Sequence, residues 1–137
     1  MGKTVKLNLY FATSNPNKFE EARLITSNYG VKLNFLEFRT VEIQSENIEE
    51  IAKNSLTQVL SKHKLPVFVE DSGLFIEALG GFPGPYSSYT YKTVGIRGVL
   101  KLMEGVKNRK AFFLSAVAYG SPTVEPVAFT GRVEGTI

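Results

Sequence analysis

The pattern of apolar residues alternates between two periods along the chain, and this alternation restricts the fold more than any other feature. Val5–Ala12 mixes polar and apolar residues as a strand entering a core does, and Val31–Phe38 repeats the pattern. Between them, apolar residues recur every three or four positions over Asn17–Tyr29, which predicts a helix ended by Gly30. Strands and helices in this order predict an α/β domain, with helices packed on the faces of a mixed, twisted sheet.

The middle of the chain continues the same order. Asn47 followed by Glu50 resembles a capping box and predicts a helix that ends near His63, a residue interpreted as half-buried and structural. A short strand, Val67–Val69, follows, and Ser72–Ser88 is rich in glycine and proline and predicts a loop. Three further elements are predicted, a helix over Thr93–Glu104 and strands over Lys110–Tyr119 and Val124–Val133.

Composition excludes several classes of site and partner. The 137 residues fit one domain, the lack of cysteine excludes a disulfide framework and a catalytic thiol, and one histidine excludes a multi-histidine zinc site. The net charge is +3, but the lysines are scattered and the arginines do not cluster, so we predict no nucleic-acid partner. The uncharged run Ala111–Pro122 is shorter than the ~20 residues that cross a bilayer, so we predict no membrane partner.

The first candidate site joins the first predicted strand to the first predicted helix, with the sequence Thr13-Ser14-Asn15-Pro16-Asn17-Lys18. A helix N-terminus offers free backbone N–H groups and a positive dipole end, and Lys18 adds a charge suited to phosphate. This is not a Walker loop, because no glycine lies between Tyr10 and Lys18. An ordinary N-cap with a turn is the alternative interpretation of the same residues.

The second candidate site is acidic. Asp71 is the only aspartate among 13 acidic residues, and it follows Glu70 at the end of the predicted buried strand, where open α/β sheets place their sites. Mg²⁺ takes one or two carboxylates and otherwise keeps water and phosphate oxygens. A polar turn in which Asp71 caps a following helix is equally open. Glu42, between apolar neighbours, is a surface residue by default and gains a role only if the fold brings it beside Asp71.

Three segments carry a family resemblance in combination, FATSNPNKFEEAR, EDSGLFIEALGGFPGPYSS and GRVEGTI. In this order and spacing they resemble the inosine triphosphate pyrophosphatases, also called XTP/dITP diphosphatases, from Val5 to Ile137. The family's Thr-x-Asn-x-x-Lys loop is matched by Thr13, Asn15 and Lys18. Its pair of acids before Ser-Gly-Leu and its Gly-Gly-x-Pro-Gly-x-Tyr-Ser loop are matched within the second segment.

The resemblance implies an enzyme that hydrolyses ITP, dITP and XTP to the monophosphate and pyrophosphate, with Mg²⁺ as cofactor, in a cytoplasmic homodimer. It implies that Thr13–Lys18 and Ser72 bind the substrate, that Glu42 and Asp71 hold the metal, and that Asp71 is also the catalytic acid/base. The expected fold is ITPase-like, a mixed sheet flanked by helices with a long substrate cleft lined by Thr13–Lys18 and Asp71.

The family's motifs also continue past Ile137, with a Phe-Gly-(Tyr/Trp)-Asp-Pro segment, a later lysine and a Ser-His-Arg motif that make most of the base pocket. Residues 1–137 are therefore expected to form a single ITPase-like domain that is C-terminally incomplete relative to the family. Such a chain is expected to discriminate poorly between ITP and ATP. A site rejects the wrong base when that base leaves its hydrogen-bonding groups unpaired, and in the family those groups map beyond Ile137. The alternative function is that of an inactive or shortened relative, a nucleotide- or phosphate-binding module.

Overall fold

The computed structural model describes residues 7–137, and within them the predicted strands and helices occur in the predicted order, with a short strand, a 3-10 turn and a helix added after the third strand. The strands are β1 (Leu7–Thr13), β2 (Val31–Glu37), β3 (Val67–Ile76), β4 (Pro83–Gly84), β5 (Lys110–Gly120) and β6 (Val127–Thr136). The helices are α1 (Pro16–Ser27), α2 (Ile48–Lys62), α3 (Ser87–Thr93) and α4 (Gly95–Leu102), with one 3-10 turn at Glu77–Leu79. The beginning of the first predicted strand, at Val5 and Lys6, lies outside the described residues.

One mixed sheet organises the domain, with strand order β2-β1-β3-β5-β6 and β4 paired to β3. β1 runs parallel to both β2 and β3, whereas β3 with β5 and β5 with β6 are antiparallel. The chain leaves β1 through α1 to reach β2 on one side, and returns through α2 to reach β3 on the other side. The strand order therefore reverses at β1, and the predicted α/β class with a mixed sheet between helices is confirmed.

The two long helices cover opposite faces of the sheet. On one face, Phe19 of α1 packs against Phe11 and Phe68, and the two strand phenylalanines stack with their ring centroids 4.4 Å apart. On the other face, Leu56 and Val59 of α2 are fully buried among small and branched strand residues. α1 has no buried residue, whereas α2 buries a complete stripe, so α2 supplies most of the helix-to-sheet core.

The predicted start of α2 is confirmed in detail. The Asn47 side chain accepts a hydrogen bond from the Glu50 backbone N–H at 3.1 Å. The Glu50 carboxylate does not return to the Asn47 N–H as in a simple capping box. Ser45 lies between them, donating to Glu50 at 2.9 Å and accepting from the Asn47 N–H at 3.0 Å. At the other end of the helix His63 is half-buried, with its ring edge against Phe38.

The prediction that the third strand ends at Val69 is wrong. β3 continues to Ile76 and pairs with β5 along its whole length, from Val67 opposite Gly120 to Ile76 opposite Ala111. The polar residues after Val69 suggested a loop, but the long apolar strand β5 provides a partner for every one of them. Glu70 and Asp71 therefore lie within a strand, and the alternative in which Asp71 caps a helix is excluded.

Two other predicted boundaries also change. The predicted helix Thr93–Glu104 corresponds to α4, which begins at Gly95, a glycine with a positive φ of 67°, and ends at Leu102. α3, over Ser87–Thr93, was not predicted, and it begins inside the segment Ser72–Ser88 that was predicted as a loop. β6 begins at Val127 instead of Val124. The Ser121 hydroxyl accepts hydrogen bonds from the backbone N–H groups of residues 123 and 124, which holds this segment in a turn. In the described range, 7–137, none of the helices combines the length and the apolar character of a membrane-crossing segment.

Candidate functional site

A cleft opens where β1 and β3 part. The two strands pair at Tyr10–Val67 and Phe11–Phe68, and β3 then runs on to Ile76 with β5 as its long-range partner and no β1 beside it. A cavity of about 1090 Å³ begins at this parting. It lies at the carboxyl ends of the parallel strands β1 and β2, beside the middle of β3 and at the reversal of strand order, the position at which open α/β sheets bind ligands.

The segment Thr13–Lys18 forms one wall of the cleft, and its conformation is held by its own side chains. Asn15 is the N-cap of α1, and its Oδ1 accepts from the N–H groups of Asn17 at 3.0 Å and Lys18 at 3.4 Å. Thr13 Oγ1 accepts from the Asn15 N–H at 3.1 Å. These bonds fix the first turn of the helix with its positive dipole end at the cleft.

Five of the six predicted residues in this segment border the cavity, namely Thr13, Ser14, Asn15, Pro16 and Lys18. Asn17 does not line it, and its backbone N–H is already bonded to the Asn15 side chain. The N-cap interpretation is therefore confirmed, and the phosphate-binding interpretation stays a prediction for a segment that lines a cleft.

Glu70 and Asp71 leave β3 toward opposite faces of the sheet, yet both line the cavity. Side chains two positions apart on a strand share a face. Phe68 packs on the α1 face, so Glu70 lies on that face, and Val69 packs on the α2 face, so Asp71 lies on that one. Both carboxylates reach one cleft because the edge of β3 is open on the side that β1 has left.

On the α1 side, Glu70 is held by two partners. Lys18 Nζ lies 2.9 Å from Glu70 Oε2, and Ser115 on β5 donates its hydroxyl to Glu70 Oε1 at 2.9 Å. The Glu70 side chain is 16% exposed and that of Lys18 is 37% exposed, so the pair is only partly screened by solvent. The pairing of Glu70 with Lys18 joins residues 52 positions apart and leaves no pattern in the linear sequence, so no role could be predicted for Glu70.

On the α2 side, Asp71 is the most perturbed acid of the cleft. Burial is the largest cause, and the negative charges of Glu42 and Glu70 add to it, so that the pKa of Asp71 is raised to about 6 despite the opposing charge of Lys18. Its Oδ2 atom is buried and has no hydrogen-bond partner. A buried oxygen without a partner is costly in a finished core, and at a cleft it indicates a position where a ligand completes the contacts.

Glu42 meets the condition set by the sequence analysis. It lies in the irregular segment 38–47 between β2 and α2, is exposed, and lines the same cavity as Asp71. Its charge raises the pKa of Asp71, so the fold brings the two carboxylates into electrostatic contact.

The floor of the cleft depends on close backbone contact between β3 and β4. A Cβ at Gly73 would lie 2.2 Å from the carbonyl oxygen of Gly84, so only glycine fits. Ser87 Oγ ties the two strands together by donating to the Gly84 carbonyl at 2.6 Å and accepting from the Leu74 N–H at 2.8 Å. Ser72, predicted to touch substrate, lines the cavity just before this contact.

The remaining wall contains aromatic residues that the sequence did not single out. Tyr91 of α3 and Phe113 of β5 both line the cavity and are largely exposed. Phe75, which lies in the second family segment, does not line this cavity, and its ring stacks on that of Phe112 with the centroids 5.0 Å apart. Exposed rings in a cleft are available to stack on a flat ligand.

A divalent cation would depend on very few protein ligands. Within residues 7–137 no group of three or more histidine, cysteine, aspartate or glutamate side chains is placed to hold a metal. Asp71, with its partnerless Oδ2, and Glu42 at the same cleft form a two-carboxylate set. Such a set fits Mg²⁺, which accepts one or two carboxylates and fills its other positions with water and phosphate oxygens.

Comparison with known proteins identifies the family of the chain. The model of the Ham1 family matches residues 9–137. The chain belongs to the Ham1 family. It is similar to the dITP/XTP pyrophosphatase of Methanopyrus kandleri, with 47% identity over 131 residues, which cover 96% of this chain and 70% of that protein. The dITP/XTP pyrophosphatase of Korarchaeum cryptofilum is 51% identical over 131 residues, covering 94% of this chain and 69% of that protein.

Solved structures related to the Ham1 family share the fold. A nucleoside-triphosphatase / dITP/XTP pyrophosphatase from Mycobacterium abscessus matches with a TM-score of 0.76 and 25% identity, over 96% of this chain and 74% of that one. The Staphylococcus aureus Ham1 protein matches with a TM-score of 0.79 and 24% identity, over 95% of this chain and 71% of that one. The family resemblance drawn from the three sequence segments is confirmed.

Proposed function

We propose that this chain is a Mg²⁺-dependent nucleoside-triphosphate pyrophosphohydrolase that converts ITP, dITP and XTP to the monophosphate and pyrophosphate. One observation carries the proposal, namely that a helix N-terminus with Lys18 and the carboxylate of Asp71, whose Oδ2 atom is buried without a hydrogen-bond partner, border one cleft. Two Ham1 relatives with more than 45% identity are named dITP/XTP pyrophosphatases, which supports the substrate class.

The triphosphate is proposed to lie along the segment Thr13–Lys18. The dipole end of α1 and the hydroxyl and amide groups of the segment offer donors to phosphate oxygens. Lys18 is held at this wall by Glu70, 2.9 Å away, and it can transfer part of its hydrogen bonding to a phosphate without leaving the cleft. Ser72 is proposed to contact the substrate from the β3 side.

Glu42 and Asp71 are proposed to hold Mg²⁺. When bound, Mg²⁺ supplies charge that polarises the phosphoanhydride and favours deprotonation of water. Asp71 takes the proton of the attacking water, whose oxygen bonds to the α-phosphorus while the bond from that phosphorus to the bridging oxygen breaks. Pyrophosphate leaves, and Lys18 with the helix N-terminus stabilises its charge.

Two wider properties complete the proposal. A homodimer is supported by apolar side chains on β6, where Phe129 and Val133 are 62% and 70% exposed, and sedimentation of the purified chain tests it. Free purine nucleoside triphosphates are cytoplasmic metabolites, so we propose that the enzyme acts in the cytoplasm.

The test is product analysis with ITP, XTP and ATP, each with Mg²⁺ and with EDTA. Pyrophosphate should be the first phosphorus product from ITP and XTP, and EDTA should remove the activity. Orthophosphate as first product would contradict the proposed bond cleavage, and equal rates in EDTA would contradict the role of Mg²⁺.

A second candidate function is binding of nucleotide or phosphate without hydrolysis. It would use the same cleft, with the N-terminus of α1 and Lys18 as the groups that bind the anion, and would lack only the hydrolytic step. Calorimetry separates the two, because a binding module would take up ITP with Mg²⁺ and release no pyrophosphate during the titration.

A further inference from the structure

The segment 38–47, which carries Glu42, has neither helix nor strand, so its position depends on a few specific contacts. Burial contributes little at its centre, since the Val41 side chain is 78% exposed. A proposed metal ligand on such a segment needs some other device to hold it, because a displaced ligand binds weakly.

Gln58 of α2 supplies that device. Its Oε1 accepts from the Val41 N–H at 2.8 Å, and its Nε2 donates to the Val41 carbonyl at 2.6 Å. The second hydrogen of Nε2 goes to Asn54 Oδ1 at 3.0 Å, one helical turn earlier. Because Val41 offers one donor and one acceptor, the amide of Gln58 can satisfy both in only one orientation.

The base of this contact is rigid. Gln58 lies beside Leu56 and Val59, which are fully buried, so the backbone of α2 is fixed against the sheet at this turn. The two hydrogen bonds from Gln58 therefore fix the backbone of Val41, the residue immediately before Glu42, relative to α2.

We infer that Gln58 is a positioning residue that holds Glu42 toward the metal, by binding both backbone groups of Val41. This inference rests on the metal role proposed for Glu42. Gln58 itself does not border the cavity, so it acts only through the segment.

The test compares Gln58→Met with Gln44→Met. Methionine has the length and helix propensity of glutamine but cannot form the paired hydrogen bonds. Gln44 is an exposed glutamine of the same segment and makes no side-chain hydrogen bond within residues 7–137, so it is the matched control. Hydrogen exchange of the Val41 amide, followed by NMR, and Mn²⁺ binding without nucleotide, followed by electron paramagnetic resonance, are measured in both variants.

In Gln58→Met the Val41 amide should exchange roughly five- to tenfold faster, the factor that one net hydrogen bond supplies. The dissociation constant for Mn²⁺ should rise by roughly the same factor, and Gln44→Met should match the wild type in both. Trypsin cleavage after Arg39 should also become faster in Gln58→Met alone.

An unchanged Val41 exchange rate would overturn the inference. Faster exchange with unchanged Mn²⁺ binding would overturn it as well, because the segment would then be held for a purpose other than Glu42. Neither readout requires hydrolysis, so a wild type that releases no pyrophosphate would contradict the proposed function while Mn²⁺ binding still decides the role of Gln58.

Discussion

Two adjacent parts of β3 contrast with each other, namely Val67–Val69, called the apolar half below, and Glu70–Asp71, called the acidic half. Val67, Phe68 and Val69 are 0%, 8% and 3% exposed and pack into the apolar layers on both sheet faces. Glu70 and Asp71, the next two residues, are half-buried acids that line a cleft. Both halves pair with β5 in the same antiparallel register, so the ladder to β5 does not distinguish them.

The difference is the second neighbour. Val67 and Phe68 pair with β1, whereas Glu70 and Asp71 have no strand on that side, because the β1–β3 pairing ends at Phe68 and β4 joins β3 only from Leu74. Where the second neighbour is lost, side chains reach a cavity instead of a core, and charge can be placed there. The apolar half therefore stabilises the fold, whereas in the acidic half burial raises the pKa of Asp71 to about 6, which makes its charged form costly.

The largest effect is expected for Asp71→Asn. Loss of a general base alone costs about a hundred- to ten-thousandfold, and Asp71 is also proposed as a metal ligand, so we expect pyrophosphate release to fall by at least about a thousandfold. Thermal stability at pH 8 should be unchanged or higher. Glu125→Gln, at an exposed acid away from the cleft, is the control and should keep the wild-type rate. Asp71→Asn with undiminished turnover would remove Asp71 from the mechanism.

Gly73→Ala should have the largest effect on folding. The new Cβ would lie 2.2 Å from the Gly84 carbonyl oxygen, which cannot move without separating β3 from β4. We expect a loss of about 3 kcal/mol in the free energy of unfolding, measured in urea. Gly131→Ala, where nothing lies within 4 Å of the added Cβ, should be close to neutral. Equal stability of the two variants would show that the β3–β4 contact is not close.

Val67→Ala examines the apolar half directly. Removing two methyl groups from a fully buried side chain should cost about 2 kcal/mol in the free energy of unfolding. The turnover rate per folded molecule should stay within about twofold of wild type, because Val67 itself does not border the cavity. A fall in turnover comparable to that of Asp71→Asn would break the division of β3 into a stabilising and a reacting half.

The smallest effect is the pH dependence of stability in EDTA. Because the pKa of Asp71 is raised from 3.8 to about 6, the folded state holds a proton that the unfolded state releases between these values. The free energy of unfolding should therefore fall in wild type, relative to Asp71→Asn, as the pH rises from about 4 to about 6. We expect a difference of about 1–2 kcal/mol across this window, measured by urea unfolding at each pH. If the difference in free energy of unfolding between wild type and Asp71→Asn did not change with pH, the raised pKa of Asp71 would be contradicted.

Local patterns predicted the parts of the molecule that depend on neighbouring residues. The Asn47 cap and the buried stripe of α2 follow from spacing alone, and the capped start of α1 at Asn15 follows from residue type. The true end of β3 could not be predicted, because it depends on pairing with β5, some 45 residues away, which overrides the polar character of Glu70 and Asp71.

The same limit applies to the site. Asp71 could be singled out as the lone aspartate, but its position at the same cavity as Glu42 depends on the fold. The ion pair of Lys18 with Glu70 joins residues from α1 and β3, and the bonds of Gln58 to Val41 join a helix to an irregular segment. None of these long-range contacts leaves a periodic signal in the sequence.

The location of the reacting site at the parting of β1 and β3 is tested most directly by anomalous diffraction from Mn²⁺. Crystals would contain Mn²⁺ and an analogue of ITP with a methylene group between the α- and β-phosphorus atoms, which cannot be cleaved there. The strongest anomalous peak should lie in contact with Asp71 Oδ2, with the phosphates of the analogue against Thr13–Lys18. A peak away from Asp71, with the phosphates bound elsewhere on the chain, would contradict the proposed site.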